Sequence, residues 1–342
     1  MTLMSKIGEK EFLKNLISGL PQHKNFVNGF GHDISLLDIG LPEYLAFKID
    51  RAPSSVAVKH GWAGFEVFGR LAVIANISDM FSSGASAKGF MVSIVTPRST
   101  EDSQVAAITM GCVGACEEYG LAFLGGDTKE GGCLQVVGAC IGTSPKSHLH
   151  SQRKAQPGDF LVVAGSLGKF LAAYELLVDS EKNKRDIDQD LLRILTHPQT
   201  PAAECEYITK GAYSVASCDL SDGLADALNY FCSENIGICI EEQLLPTHPL
   251  TNRLKDKFEI YKLAFGAGDW AAAFVVPEDR IDSLLQEKPK ELEIAAIGRF
   301  ENNGKRTIRR LNGYVEATPI NINEHFIERL EDEGSYLEHF RK

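Results

Sequence analysis

The sequence predicts an α+β (mixed α/β) chain of two domains, and three observations predict it. The chain has 342 residues, which at about 150 residues per domain makes two. Apolar segments of helical period and of strand length follow one another irregularly, which suits α+β better than a regular βαβ array. A polar, basic stretch, Ser144 to Gln156, then Pro157-Gly158-Asp159, interrupts them and marks the boundary. The domains are set accordingly at 1–150 and 151–342.

Glu9 to Leu20 places Phe12, Leu13, Leu16, Ile17 and Leu20 at helical spacing. Tyr44 to Ile49 reads as a short strand ending at Asp50. Gly64 to Ser83 is helical again through Phe65, Phe68, Leu71, Ala72, Ala75 and Met80. Gly89 to Thr96 is strand-like and stops at Pro97. Asp102 to Tyr119 is an amphipathic helix with Val105, Ile108, Cys112, Ala115, Cys116 and Tyr119 on one face and Gly120 as its stop. Leu121 to Leu124 is a short apolar run before Gly125-Gly126-Asp127, and Leu134 to Gly142 another strand. Beyond the boundary, Phe160 to Ala164 has a buried-strand pattern and the charge run Glu181 to Asp190 reads as a solvated loop. Ser214 to Cys218, Ile236 to Ile240 and Ala271 to Val276 read as strands, and Leu224 to Cys232 as a helix.

Composition narrows the function. There are 35 Lys and Arg against 46 Asp and Glu, a formal net charge of −11. Nucleic-acid and membrane-surface proteins need a basic footprint, so neither partner is expected. Phosphorylated substrates stay open, because a divalent metal inverts the local sign. No apolar run is long enough for a transmembrane helix. Met1 to Leu20 carries Lys6, Glu9, Lys10, Glu11 and Lys14 and no apolar signal core, which points to a cytoplasmic protein. Eight cysteines are too sparse for a disulfide scaffold. Cys112 and Cys116, four apart, read as buried reduced thiols rather than a metal pair.

The informative feature is a recurring local pattern. Short Asp-bearing motifs follow apolar runs: Gly31-His32-Asp33, Lys48-Ile49-Asp50, Asn76-Ile77-Ser78-Asp79, Gly125-Gly126-Asp127-Thr128, Cys218-Asp219-Leu220-Ser221-Asp222-Gly223 and Gly266-Ala267-Gly268-Asp269. Carboxylates converging on one cleft repel each other unless cations lie between them. Mg²⁺ prefers carboxylate oxygens and keeps waters that phosphate oxygens can replace. Such a site needs no nucleophilic side chain, since phosphoryl transfer depends on positioning and charge neutralisation. The plain alternative is that each Asp is a turn residue or helix cap, as Asp222 is placed to be for the helix from Leu224.

Other motifs carry less. There is no P-loop; Gly165-Ser166-Leu167-Gly168-Lys169 has the wrong spacing for one. Gly266 to Ala271 matches GxGxxA formally but leads into an apolar run. His23, His32, His60, His148 and His150 are scattered, and only His32 stands within an Asp motif.

Taken in order, these motifs resemble the thiamine-monophosphate kinases, in the superfamily of aminoimidazole ribonucleotide synthetase, selenophosphate synthetase and a hydrogenase-maturation ATPase. The resemblance runs over about residues 7 to 300. Ile7 to Phe12 resembles the opening helix. Gly31-His32-Asp33 stands for Gly-Asp-Asp, and Asp50 for the Asp of Thr-Asp. Asn76-Ile77-Ser78-Asp79 with Gly84-Ala85 resembles Asn-x-Ser-Asp…Gly-Ala, and Gly125 to Thr128 the Gly-Gly-Asp-Thr loop. Pro157-Gly158-Asp159 with Gly165-x-x-Gly168 opens the second domain, and Cys218 to Gly223 resembles Asp-x-Ser-Asp-Gly.

The resemblance implies an aminoimidazole ribonucleotide synthetase-like fold whose first domain forms a β-barrel with its mate in a homodimer. It implies ATP held through several Mg²⁺ ions and a small-molecule acceptor, with thiamine monophosphate the leading candidate. Asp33, Asp50, Asp79, Asp127 and Asp222 would be metal ligands, with Asp79, Asp127 and Asp222 at the reacting centre. Asn76, Gly125, Gly126, Thr128, Asp219 and Ser221 would face the nucleotide. Asn76 and Asp79, three apart on a helix, share a face. The sequence also departs from the family. His32 replaces an acid, the Val-x-Gly-x-His-Phe stretch expected after Asp50 fails at Arg51 to His60, and Gly266 to Ala272 lacks both glutamates of Gly-Gly-Glu-Asp-Tyr-Glu-Leu. The nucleotide motifs persist where the acceptor motifs drift. An ATP-driven cyclase or synthetase of the same superfamily and a non-catalytic nucleotide-binding relative are the other readings.

Overall fold

The structure is a computed structural model, and it describes residues 4–147 and 155–320. Most of the predicted boundary segment, with His148 and His150, lies outside the described residues. Helices α1 (Met4–Ile7) and α2 (Glu9–Ile17) precede a sheet of β1 (Ser35–Leu37), β2 (Glu43–Arg51), β3 (Ser86–Thr96), β4 (Ala122–Glu130) and β5 (Gln135–Pro145). Its order is β1-β2-β5-β3-β4. All neighbours are antiparallel except β3 and β4. Helices α3 (Val56–Lys59), α4 (Glu66–Ser82) and α5 (Asp102–Glu118) complete this half.

One face of this sheet packs on the helices. Ala46, Phe90, Val92, Ile94, Val136 and Cys140 share a core with Leu71, Ile74, Ile77 and Met80 of α4 and Ile108 and Cys112 of α5. The stripe predicted for α5 is the buried one, and Gly120 ends the helix at φ +67. Where α4 and α5 cross, a Cβ on Gly69 would lie 1.8 Å from the Ile108 carbonyl oxygen, so only glycine permits the contact. The other sheet face leaves Phe47, Ile49, Met91 and Leu124 exposed. The sheet is open, with β1 and β4 at its edges, so the expected barrel does not close within one chain.

The Gly125 to Thr128 segment, read as a loop, lies inside β4. The β3–β4 register shifts between Phe90 and Val92, where Leu124 and Gly125 of β4 stand opposite Met91 alone, a bulge of one extra residue. Gly125 takes φ +91 there, and a Cβ on Gly126 would come within 1.7 Å of the Val92 carbonyl oxygen. Strand pairing alone therefore accounts for both glycines.

The second half begins with β6 (Phe160–Ala164), α6 (Lys169–Lys182), α7 (Gln189–Thr196), α8 (Ala202–Lys210), β7 (Ala216–Asp219), α9 (Leu224–Phe231) and β8 (Gly237–Glu241). It continues with α10 (Ile260–Leu263), β9 (Ala272–Val276), α11 (Glu278–Glu287), β10 (Ile294–Glu301), β11 (Arg306–Arg309) and β12 (Val315–Ala317). The strands form a seven-stranded sheet in the order β12-β11-β8-β10-β6-β9-β7. Both faces are covered. Leu161, Val163, Ala273 and Val275 pack with α9 residues Leu224, Leu228 and Phe231. Val162, Ala164, Phe274 and Val276 pack with Cys205 and Ile208 of α8 and Ile281 and Leu284 of α11. Two covered faces explain why these strands read as continuous apolar runs.

Arg70 and Trp270 are among the contacts that fasten the halves. Arg70 of α4 donates from Nη1 and Nη2 to the Glu118 carboxylate at 2.6 and 3.1 Å, and from Nε and Nη2 to the Pro198 carbonyl at 3.2 and 3.0 Å. Trp270, just before β9, holds φ +55 and buries its indole in the core under the five-stranded sheet. All eight cysteines are free thiols; Cys112 and Cys116 are buried as predicted, five others are buried as well, and Cys133 is exposed.

Candidate active site

Helix α4 builds the site. Sheet, α5 and the second half surround it, and most of its residues are buried. A polar group buried this way must be hydrogen-bonded or paired. Ser78 Oγ donates to Asp219 Oδ2 at 2.6 Å, joining α4 to the end of β7. Ser221 Oγ donates to Asp219 Oδ1 at 3.0 Å. Asp79 Oδ2 meets the Lys48 ammonium at 2.5 Å, and Asp50 Oδ2 lies 3.6 Å from the same nitrogen. Asn76 Nδ2 donates to the Ala72 carbonyl at 2.8 Å and the Asp50 carbonyl at 3.4 Å, while its Oδ1 is buried with no hydrogen-bond partner.

The acids crowd one another electrically. Removal from water pushes the Asp33 carboxyl up to about 7, with Asp219 and Asp226 adding repulsion and Lys48 opposing it. Desolvation also raises Asp79, where Asp219 adds to the shift and Lys48 opposes it. Asp219 is raised by desolvation and moderated by Ser78, Lys48 and Ser221. For Lys48, burial acts to lower the ammonium, but Asp79 and Asp50 outweigh it and hold it above its ordinary value. His32, half-buried beside this cluster in sequence, is lowered by desolvation, which favours a neutral imidazole.

The fold thus links Asp33, Asp50, Asp79, Asp219 and Ser221, drawn from four separate segments, through Lys48 and Ser78. The other predicted residues stand apart from this cluster or differ in exposure. Asp127 and Thr128 are exposed on β4, with Lys129 Nζ 3.9 Å from Asp127. By register, Arg51, Val137, Ser93 and Asp127 form one cross-strand row, and Asp50, Gly138, Val92 and Gly126 the adjacent one. Asp127 therefore belongs to the open face, three strand spacings or about 14 Å across from β2. Asp222 is exposed in the turn before α9. Asn76, expected at the nucleotide, is fully buried and gives its amide to backbone carbonyls; α4 is covered on that side by β2.

Sequence reasoning missed Lys48 and Ser78 as members of the site. The signal for Lys48 was the strand period of two, which puts Ala46, Lys48 and Asp50 on one face. Asp269 has a different task from the cleft acids. It accepts from the backbone N–H groups of Gly168 and Phe170 at 2.5 and 2.8 Å, capping α6. Burial raises it to about 6. The N-terminus of α6 is thereby filled by the chain's own carboxylate, which removes the Gly165–Lys169 segment as a phosphate loop.

The donor set suits Mg²⁺. It is all oxygen, and burial raises Asp33, Asp79 and Asp219, with repulsion between acids adding to the shift at Asp33 and Asp79. Among the described residues, no three His, Cys, Asp or Glu side chains are already gathered to hold a metal ion; the carboxylates turn instead to Lys48, Ser78 and Ser221.

Comparison with known proteins sets this fold and its acidic cluster beside one class. Residues 31–144 match the family model of the AIR synthase related protein, N-terminal domain. Within that class the likeness is to thiamine-monophosphate kinases. The chain is 28% identical over 258 residues to the thiamine-monophosphate kinase of Pyrococcus horikoshii, across 75% of this chain and 78% of that one. It is 26% identical over 297 residues to that of Bacillus subtilis, across 84% and 89%. Among solved structures, AaThiL complexed with AMPPCP and TMP superposes with a TM-score of 0.77 at 22% identity, covering 95% of this chain and 99% of that one. The hydrogenase maturation protein HypE in complex with ATP gives 0.63 at 18%, covering 96% and 100%. The resemblance read from the motifs is therefore present along most of the chain, and these solved proteins share its mixed α/β fold.

Proposed function

We propose that this protein is an ATP-dependent kinase that transfers the γ-phosphoryl group of ATP to thiamine monophosphate. The observation that carries the reading is the meeting of Asp33, Asp50, Asp79 and Asp219 around Lys48 in a chain whose relatives are thiamine-monophosphate kinases. An oxygen of the acceptor phosphate attacks the γ-phosphorus in line. The bond to the β–γ bridging oxygen breaks, and ADP leaves with that electron pair, giving thiamine diphosphate.

Asp33, Asp50 and Asp79 would hold Mg²⁺ at the cluster, where it supplies charge neutralisation between ATP and the acceptor phosphate, and Asp127 and Asp222, which stand apart from the cluster, would hold Mg²⁺ at a separate position along the phosphates. Ser78 and Ser221 each donate to one oxygen of the Asp219 carboxylate and fix its orientation beside α4. Gly125, Gly126 and Thr128 lie with Asp127 at the strand edge where backbone can approach phosphates. The acceptor is met from the segment after Asp50. There His60 stacks on Trp62 with centroids 4.2 Å apart and bonds to Tyr174 and Glu181.

The exposed apolar face of Phe47, Ile49, Met91 and Leu124 supports a homodimer in which two open sheets close a barrel. Free thiols throughout support a reducing, cytoplasmic setting. No described helix is long and apolar enough to cross a membrane. The test is ³¹P NMR of the protein with Mg²⁺, ATP and thiamine monophosphate. The expected products are ADP and a diphosphate ester. ADP with inorganic phosphate alone would favour a cyclase-like relative, and no turnover with intact ATP binding a non-catalytic one.

A further inference from the structure

The acidic cleft already contains a cation. We infer that Lys48 holds, as a built-in ammonium, the place of one divalent ion among Asp33, Asp50, Asp79 and Asp219, and so limits how many metal ions the site takes. The inference rests on the kinase reading above and concerns the same site.

Three observations support it. The ammonium contacts two of the acids directly, Asp79 at 2.5 Å and Asp50 at 3.6 Å. An acid of the second half joins the same group, because Ser78, the neighbour of Asp79, donates to Asp219 at 2.6 Å. The pair is sheltered, with side-chain exposures of 17% for Lys48 and 8% for Asp79, so it is not a screened surface bridge. Strand β2 aims Lys48 there by register, opposite Cys140 of β5, on the same face as Asp50. An ordinary structural lysine satisfies one acid. Lys48 stands where several acids from both halves of the molecule converge, which is the position a hard cation takes.

The test is Mn²⁺ titration of the full chain read by electron paramagnetic resonance, for wild type, Lys48→Met and Lys48→Gln. Lys48→Gln keeps an N–H donor for Asp79 and guards against a Lys48→Met chain that does not fold. Removing a unit charge a few ångströms from the ion predicts Mn²⁺ binding at least about tenfold tighter in both variants. Circular dichroism confirms that they are folded. A purely structural Lys48 predicts unchanged or weaker Mn²⁺ binding, and either result overturns the inference. Repeating the titration with AMPPCP separates the two readings. Wild type that takes up no Mn²⁺–AMPPCP overturns the kinase assignment, whereas equal Mn²⁺ affinity in wild type and variants overturns only the role of Lys48.

Discussion

Ser78 and Asp219 are 141 positions apart in the chain, yet the Ser78 hydroxyl donates to the Asp219 carboxylate at 2.6 Å. One partner belongs to α4 under the five-stranded sheet and the other to the end of β7 in the seven-stranded sheet. The bond ties the two halves at the point where their acids meet. Ser78→Ala leaves a desolvated carboxylate with Ser221 as its remaining hydroxyl donor. The expected cost is about 1–3 kcal/mol of stability, read from urea unfolding, together with reduced turnover. A change within about 0.5 kcal/mol would place this bond among surface-like contacts.

Asp79→Asn and Asp127→Asn should both depress Mg²⁺-dependent turnover, by about a hundredfold or more, because an amide cannot offset a dication. Their stabilities should differ. Asp127 is exposed, so its replacement should leave unfolding unchanged, whereas Asp79 faces a sheltered ammonium. Near-normal kcat across a Mg²⁺ series in either variant would remove that residue from the metal set.

Gly126→Ala should destabilise the protein by about 1–3 kcal/mol through overpacking, since its Cβ would meet the Val92 carbonyl oxygen at 1.7 Å. Gly125→Ala should also destabilise, for a different reason, because its φ of +91 disfavours a side chain. Thermal unfolding of both variants checks this. Stability equal to wild type would mean that the β3–β4 bulge relaxes freely.

The Arg70–Glu118 pair should impose a pH dependence. Hydrogen bonding from Arg70, and then from Gln199, holds Glu118 below its ordinary value of 4.5. A lowered carboxyl contributes stability above the unfolded-state value and loses it as pH falls through the folded-state value. The advantage of wild type over Glu118→Gln should therefore be full at neutral pH and shrink below about 4.5. Unfolding midpoints from pH 3 to 7 measure it. A pH-independent difference would mean that Glu118 contributes through shape alone.

Much of this architecture was legible in residue order. The α5 stripe, the short apolar strands and the Asp-bearing motifs are local patterns, and local patterns survive in one dimension. The sequence did not reveal α6, α7, α8, α11 or β10 to β12. Their apolar faces are specified by what covers them, and in α6 and α7 that includes Ala57, Trp62 and Ala63 from the other half. It also misplaced Gly125 to Thr128 in a loop, because the glycines that suggest a turn are required by a bulge and a close backbone approach.

The sequence by itself determined which residue types the chain could bring to a site: a set of carboxylates with glycine and serine beside them, and an order of motifs shared with one family. Only the tertiary structure decided which of those acids face one another. Asp33, Asp79 and Asp219 feel each other because α4 is buried between two sheets, while Asp127 lies one residue out of register on the open face. It also decided that Lys48, an ordinary residue in a strand pattern, sits among them. Electrostatic energy depends on distance and dielectric, and neither exists until the chain folds.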